Sequence, residues 1–322
     1  MSRHTLEAPP SAAPARRNAP AGRRGPAASL SDFANRHVRW VFTLPALVFT
    51  FGMVLFPVLY TLVLSLTDAS GSIQRAFDFI GAGNFVELFT DLPRFWPAVG
   101  RTVVFTVVAV LVELVLGLGI ALLLRKPFRG QGLVRVIILM PLVATPVAVA
   151  MMWLLVFEPT IGFANELMSW LRLPEQGWIS DPGQALPTLM FVDIWQWTPM
   201  VALILLAGLS TLPEEPEEAA LVDGANAWQR LRHVTLPMLA PAVATAVLLR
   251  SIDALKTFDI LYATKGRGGG SLHEAETLNI LAYSLSFEYN DYGLASAVLV
   301  FFFLFIVAFA WLLFRISRAG GK

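Results

Sequence analysis

Six long apolar runs constrain the fold of this chain more than any other feature of its sequence. Each run meets or approaches the roughly 20 apolar residues that an α-helix needs to cross a bilayer. Hydrophobic residues make up 56% of the chain and charged residues 15%, against about 45–50% and 25% in soluble domains. The sequence therefore predicts an all-α polytopic membrane protein with six transmembrane helices, at residues 41–66, 102–124, 133–157, 187–209, 238–262 and 294–315.

The segment before the first run differs in composition. Residues 1–38 are rich in Ala, Pro, Arg and Ser and show no hydrophobic periodicity, which predicts a disordered tail. The run at 41–66 is long enough to span the membrane, and no small-residue cleavage site follows promptly, so we expect an uncleaved first span rather than a signal peptide. The expected organisation is a disordered cytoplasmic tail, 1–38, followed by a transmembrane permease domain, 39–322.

The distribution of Lys and Arg predicts the orientation of the spans. Cytoplasmic loops of membrane proteins carry an excess of these residues. Here they are concentrated before the first span, between the second and third spans, and after the sixth, whereas the alternate loops are mostly acidic. We therefore expect both termini and the loop at 210–237 to face the cytoplasm. The basic residues behind this prediction are Arg3, Arg16, Arg17, Arg23, Arg24, Arg36, Arg39, Arg125, Lys126, Arg129, Arg135, Arg315, Arg318 and Lys322.

Several kinds of catalytic and metal site are excluded by residue usage. The chain has no cysteine, so it has no disulfide framework, thiolate metal site or cysteine nucleophile. The four histidines are scattered, and neither paired catalytic carboxylates nor a Ser-His arrangement occurs at plausible spacing. The glycine-rich stretch at 265–270 lacks the G-K-S/T of a phosphate-binding loop. We expect no catalytic residue, no metal site and no cofactor in this chain.

A polar stretch, 218–237, connects the fourth and fifth runs. The two alanines after Glu218 favour a helix, and Glu218 lies near its start, where the helix dipole favours negative charge. Gly224 can adopt the positive φ that ends a helix, and Asn226 can cap the next one. The pattern predicts two short helices with a joint, a rigid knob suited to docking in a groove of a partner. A helical surface loop without a partner is the alternative.

The same stretch resembles the EAA loop of bacterial ABC importer permeases. The family pattern is EAA, three residues, G, nine residues, then I-x-L-P; Val234 replaces Ile and the other positions match. The flanking resemblance extends through most of 41–316 and is strongest to carbohydrate permeases of the MalF/UgpA type. It implies a type I ABC importer permease bundle in which this loop is the coupling helix, seated in a cleft of a separate ATPase. The coupling residues that it implies are Glu218, Ala219, Ala220, Asp223, Gly224, Leu236 and Pro237.

The family resemblance also implies an assembly in the bacterial cytoplasmic (inner) membrane. Its members would be a second permease subunit, two ATPase subunits that bind ATP and Mg, and a periplasmic or lipid-anchored solute-binding protein, with no nucleic acid. The outer loops around Trp96 and Trp178 resemble the family and would receive the binding protein. The alternative is that these tryptophans form an interfacial belt.

Polar residues inside the second and fourth spans mark candidate functional positions, because an ionisable group there costs about 2.5–3.5 kcal/mol on insertion scales. Glu113 is either a hydrogen-bond partner inside the bundle or part of the transport path, and Gly117 and Gly119 after it permit close helix packing. Asp193 and Trp197 share one face of the fourth span. A carboxylate beside an indole suits a sugar, whereas an aromatic belt at the outer interface is the alternative.

The fifth span carries several charges. Arg250, Asp253 and Thr257 lie at i, i+3 and i+7, which predicts one helical face. These residues have two possible roles: Arg250 and Asp253 form a structural ion pair, or the face lines the translocation path. The family resemblance implies sugar contacts in this span and in the fourth, although the charges leave a polyol, a phosphorylated polyol or an acidic sugar open. The expected substrate-path residues are Asp193, Trp195, Gln196, Trp197, Arg250, Asp253 and Thr257.

Two functional hypotheses follow. The first is a permease subunit of an ATP-driven importer that passes a sugar or polyol, delivered by a solute-binding protein, across the membrane. The second is a proton-coupled secondary transporter with Glu113, Asp193 or Asp253 as proton carrier, against which the lack of an inverted repeat argues. Pro141 and Pro146 predict irregularity in the third span.

Overall fold

The computed structural model describes residues 38–71 and 77–319. Positions 1–37 of the predicted disordered tail lie outside these residues. The chain divides at Pro57 into two compact units, 1–57 and 58–322, and the first unit contributes the beginning of helix α1. The described helices are α1 (Val38–Leu64), α2 (Gly83–Thr90), α3 (Phe95–Arg125), α4 (Gln131–Leu139), α5 (Pro146–Val156), α6 (Phe163–Trp170), α7 (Pro182–Ser210), α8 (Glu215–Val222), α9 (Ala227–Arg230), α10 (Leu236–Leu255), α11 (Asp259–Lys265), α12 (Leu278–Phe287) and α13 (Tyr292–Ala319).

The described residues are almost entirely helical. Isolated β-bridges join Thr67 to Phe79 and Ser70 to Asp291. Five helical stretches of the described chain are long and apolar enough to cross a membrane, and one sharply bent helix pair raises the number to six if it counts as one span. The predicted all-α polytopic class is therefore confirmed. The five stretches lie in α1, α3, α7 and α13 and in the region Ala227–Lys265.

The third predicted span, 133–157, is not one continuous helix. Its two parts, Gln131–Val143 and Pro146–Val156, meet at an angle of 100°. Thr145 has an extended backbone, with ψ of 146°, and caps α5 by accepting a hydrogen bond from the Ala148 amide at 3.4 Å. A residue before proline is biased away from the helical region, so Pro146 accounts for the break. The prediction of irregularity here is confirmed, and that of a single uninterrupted span is wrong.

Helices α3 and α7 begin earlier than the predicted spans at 102 and 187. They contain 31 and 29 residues, so at about 1.5 Å per residue each exceeds the roughly 30 Å hydrocarbon thickness. Asp181 caps α7 by accepting hydrogen bonds from the amides of Gly183, at 2.7 Å, and Gln184, at 3.1 Å. Pro182 occupies the first turn, where its missing N–H costs little. This start signal lies in the stretch that the sequence analysis assigned to an outer loop.

The fifth predicted span, 238–262, is also interrupted. Helix α10 ends at Leu255, and α11 starts at Asp259. The following predicted loop, 263–293, contains the apolar helix α12, whose buried Leu278 and Leu281 pack with Leu294 of α13. Because α12 has 10 residues, it is too short to register as a span. The predicted loop therefore contains a helix that the sequence analysis did not predict.

Helices α3 and α7 form the most extensive helix pair of the described bundle. A Cβ atom on Gly117 of α3 would lie 2.8 Å from Val201 Cγ1 of α7 and 3.1 Å from the Ala202 amide nitrogen. Only glycine allows so close an approach. The predicted role of Gly117 in close packing is confirmed, whereas Gly119 faces open space.

Candidate functional site

Residues 210–237, the EAA segment, contain two short helices and a joint. Acidic residues occupy the first turn of α8, as expected from the helix dipole. Gly224 follows α8 with φ of +81° and has nothing within 4 Å of a hypothetical Cβ. A substitution there would therefore be strained by the backbone and not by crowding. The predicted role of Gly224 in ending the first helix is confirmed.

The second short helix, α9, begins with a capping box. The Asn226 side chain accepts a hydrogen bond from the Gln229 amide at 2.9 Å, and the Gln229 side chain accepts one from the Asn226 amide at 2.8 Å. The predicted cap is confirmed. Helix α9 then continues through a π-helical turn, Leu231–Thr235, into α10. The second helix of the knob is thus continuous with the following span, which the sequence analysis treated as separate.

The surface of the EAA segment is unusually apolar for an exposed loop. Val222 is 88% exposed, Trp228 64% and Leu221 60%. Among the predicted coupling residues, Glu218, Ala219, Asp223, Gly224 and Pro237 are exposed, while Ala220 and Leu236 are half-buried. Clustered exposed apolar side chains mark surfaces that contact another molecule.

Glu217 attaches the EAA segment to the end of α3. Its carboxylate accepts hydrogen bonds from Arg125 Nη1 at 2.6 and 2.9 Å and from the Thr235 hydroxyl at 2.9 Å. Partial burial opposes ionisation of Glu217, but the bonds from Arg125 and Thr235 outweigh it and hold the pKa of Glu217 below its usual range. Sequence reasoning missed this contact because residues 92 positions apart share no local pattern.

The second candidate region, the charge cluster, consists of Glu113, Asp193, Arg250 and Asp253. Arg250 of α10 is fully buried. Its Nε and Nη2 donate to the two oxygens of Glu113 at 2.7 and 3.0 Å. Nη2 also contacts Asp193 Oδ2, and Nη1 donates to Asp253 Oδ2 at 3.1 Å. One guanidinium therefore joins α3, α7 and α10, and the predicted Arg250–Asp253 pair is confirmed.

The charge cluster is rich in acceptors. Glu113 and Asp193 are fully buried, whereas the Asp253 side chain is 46% exposed. Asp193 Oδ1 has no hydrogen-bond partner among the described residues. The Arg250 guanidinium lies 5.4 Å from the centre of the Trp197 ring, within the range of a cation–π contact. A buried charge is tolerated only when it is paired and hydrogen-bonded, so the partners of Arg250 are essential to this packing.

The other predicted path residues are not in the cluster. Gln196 is buried and donates to the Ala144 carbonyl at 3.2 Å, on the extended link of the broken span. The Trp195 ring packs on Trp153 at 5.4 Å. Thr257 lies after the end of α10. The prediction that Thr257 shares a helical face with Arg250 is therefore wrong, because the helix stops at Leu255.

The two outer-loop tryptophans differ in their surroundings. Trp178 is half-buried, donates from Nε1 to Asn165 Oδ1 at 2.7 Å and packs on Phe157 at 5.1 Å. Trp96 is 56% exposed. Trp178 thus orders its own loop, and only Trp96 presents most of its surface. Within the described residues, no three His, Cys, Asp or Glu side chains are grouped to hold a metal ion.

Comparison with known proteins gives consistent matches. The family model described as binding-protein-dependent transport system inner membrane component matches residues 113–319. The trehalose/maltose transport system permease protein MalF of Thermococcus litoralis is 32% identical over 279 residues, 87% of this chain and 93% of that protein. The trehalose transport system permease protein SugA of Mycobacterium tuberculosis is 34% identical over 295 residues, 91% of this chain and 93% of that protein.

A solved structure has the same fold. A chain from a bacterial ABC transporter involved in the import of the acidic polysaccharide alginate superposes with a TM-score of 0.78. It is 21% identical in sequence, and the match covers 91% of this chain and all of that chain. The predicted importer permease bundle is confirmed as the fold.

Proposed function

The chain belongs to the family of binding-protein-dependent transport system inner membrane components, and from this premise we propose that it is a permease subunit of an ATP-driven importer. The solute would be a sugar or polyol, since the curated relatives include permeases named for trehalose, maltose and lactose transport. Membership of a permease family agrees with the prediction that the chain is not an enzyme.

The exposed apolar surface of the EAA segment is the single observation that carries the ATP-driven part of the proposal. Val222 and Trp228 extend from a knob whose internal geometry is fixed by Gly224 and by the capping box. A partner ATPase that closes on ATP would move this knob, and the continuous helix from α9 into α10 would carry the motion into the membrane. ATP and Mg would bind to the partner and not to this chain.

The proposed assembly contains a second permease, two ATPases and a periplasmic or lipid-anchored solute-binding protein. The chain would lie in the bacterial cytoplasmic membrane with both termini in the cytoplasm, because its Lys and Arg are concentrated on that side. The EAA segment would then face the compartment that contains ATP. The exposed outer residue Trp96 is available for the binding protein.

The substrate path is proposed to run past Asp193, Gln196, Arg250 and their neighbours. Asp193, Gln196 and Arg250 are enclosed in this structure, so a solute would reach them only when α3, α7 and α10 separate. Asp193 Oδ1 and Gln196 Oε1 have no partner among the described residues and would accept bonds from solute hydroxyls. Trp197, Asp253 and Thr257 are partly exposed and would meet the solute first.

The test of coupling is Gly224→Asp, with Gly71→Asp as a matched control. Both glycines have positive φ, +81° and +74°, and neither would crowd a neighbour. We expect Gly224→Asp to remove solute-stimulated ATP hydrolysis and uptake, measured in proteoliposomes with the co-purified ATPase, while Gly71→Asp retains both. If Gly224→Asp retained normal solute-stimulated ATP hydrolysis and uptake, the EAA segment would not be the coupling element.

A proton-coupled secondary transporter is the second candidate, because three carboxylates surround one guanidinium in the charge cluster. A protonophore distinguishes the ATP-driven importer from the proton-coupled transporter. Uptake that survives the protonophore at constant ATP supports the importer, whereas uptake that collapses supports proton coupling.

A further inference from the structure

A cleft between α3, α4 and α7 lies beside the start of the EAA segment. It consists of an inner cavity of 180 Å³ and an outer cavity of 440 Å³. The two cavities are adjacent, because both are lined by Leu124, Arg135, Leu203 and Leu206. We call this feature the α4 cleft. The outer cavity alone is within the range of small-ligand sites.

The two cavities differ in polarity. Apart from Arg135, every side chain of the inner cavity is aliphatic. The outer cavity adds Arg125, Ser210 and Glu214. The cleft thus has an apolar interior and a polar mouth that contains two arginines, which is the polarity of a molecule with a charged head and a hydrocarbon tail.

Arg135 is the residue of the cleft that most directly indicates an anionic ligand. It is exposed, and its guanidinium has no hydrogen-bond or ion-pair partner among the described residues. Its neighbours on α4 are apolar and exposed: Leu133 is 66% exposed, Val136 65% and Ile137 58%. In a membrane protein such a helix faces lipid, and a single arginine on it extends towards the headgroups.

Arg125 supplies further donors at the mouth. It bonds Glu217 through Nη1, whereas a guanidinium has five N–H donors in all. The mouth therefore has two guanidinium groups, of which Arg125 is paired with Glu217 and Arg135 is not, and one lining carboxylate, Glu214. Arginine side chains between transmembrane helices near the membrane surface attract anionic lipid headgroups.

We propose that the α4 cleft binds an anionic phospholipid, with its phosphate at Arg135 and Arg125 and one acyl chain in the inner cavity. A free phosphate ion would satisfy the arginines but leave the aliphatic walls of Leu203 and Leu206 empty. The bound lipid would touch Arg125, which holds Glu217, and would thereby contact the EAA segment. In the orientation proposed above, the lipid would belong to the cytoplasmic leaflet; the binding site itself does not depend on that orientation.

The test uses the full chain with its co-purifying partners in nanodiscs of phosphatidylcholine, with or without phosphatidylglycerol. Native mass spectrometry counts the retained lipids. We expect the unmodified chain to retain phosphatidylglycerol and Arg135→Gln to bind it about fivefold more weakly, as for one arginine near the membrane surface. Arg129→Gln is the matched control, because Arg129 is exposed in the same link but does not line the cleft. It should retain the lipid.

A second variant tests the acyl-chain part. Leu203→Trp fills the inner cavity without changing charge, and we expect it to lose the retained lipid while its thermal midpoint stays within the range of the unmodified chain. Retention by Leu203→Trp, together with displacement by soluble glycerol phosphate, would mean a free phosphate site and overturn the proposal. Equal weakening in Arg135→Gln and Arg129→Gln, or no preference for phosphatidylglycerol, would overturn it as well. Loss of a partner subunit from Arg135→Gln with unchanged lipid would assign the cleft to a protein interface.

Discussion

The EAA segment and the charge cluster are built in opposite ways. The EAA segment takes its shape from neighbours in sequence, through Gly224 and the Asn226–Gln229 capping box, and leaves its apolar residues exposed. The charge cluster joins residues from three helices, separated by up to 137 positions, around a fully buried Arg250. The first region thus exposes an apolar surface, whereas the second joins three helices of the bundle.

The largest expected effect is at the centre of the cluster. Arg250→Met leaves Glu113 and Asp193 buried without their guanidinium. Breaking a buried ion pair by removing one partner costs about 3–5 kcal/mol, a large fraction of a typical unfolding free energy of about 5–15 kcal/mol. We expect a sharply lowered thermal midpoint and poor accumulation in the membrane, measured by fluorescence size-exclusion chromatography of detergent extracts.

A triple variant separates loss of charge pairing from loss of volume. Replacing all three buried charges, by Arg250→Met, Glu113→Leu and Asp193→Leu, leaves only Asp253 without its partner, and its side chain is 46% exposed; such replacements of buried charges are often neutral. We expect this variant to recover most of the stability and to lose uptake. A triple variant as unstable as Arg250→Met alone would contradict the electrostatic explanation.

A smaller effect is expected where the two regions are linked. Glu217→Gln weakens the contact of the EAA segment with Arg125 and Thr235. The two ionic side chains are about a quarter exposed, 23% and 24%, so solvent screening reduces the cost to about 1.5 kcal/mol, the lower end for hydrogen bonds to charged groups. Thermal unfolding in detergent of the unmodified protein and of Glu217→Gln measures this difference in stability.

The pH dependence of this difference has a definite sign. The pKa of Glu217 is lowered in the folded protein, so its stabilising contribution is present above the ordinary carboxyl pKa of 4.5 and is lost as the pH falls through the folded value. We expect the gap between the unmodified protein and Glu217→Gln to be constant near neutral pH and to shrink in acid. A gap that widened in acid would contradict the assignment.

The same contrast explains what could be predicted from sequence. The cap at Asn226 and the turn at Gly224 follow from residues within a few positions, so both were predicted correctly. The pairing of Glu113 with Arg250 was missed, because hydropathy shows that a charge is in a span but not which partner it meets. Helix α12 was missed because a buried helix of 10 residues resembles a loop by length.

A local effect of about 1 kcal/mol is expected at the cap of α9. Asn226→Ala removes the acceptor for the Gln229 amide, a loss that typically costs about 1 kcal/mol. Asn226→Ser keeps a capping oxygen and is the matched control. Hydrogen exchange of the EAA segment should quicken in the alanine variant and stay unchanged in the serine variant. Equal exchange in both variants would mean that the capping box does not order the segment.

The smallest effect on stability is expected at the most exposed residue of the EAA segment. Val222→Ser changes a side chain that is 88% exposed, so the unfolding free energy should change by no more than about 0.5 kcal/mol. Its effect should fall on the partner: we expect less ATPase to co-purify, because an apolar contact is lost. Val143→Ser is the matched control, since Val143 is 86% exposed but lies in the broken span. If both variants retained the ATPase equally, the exposed surface of the EAA segment would not be the docking site. The two regions would then differ only in how they fold, the EAA segment through neighbours in sequence and the charge cluster through residues far apart in the chain.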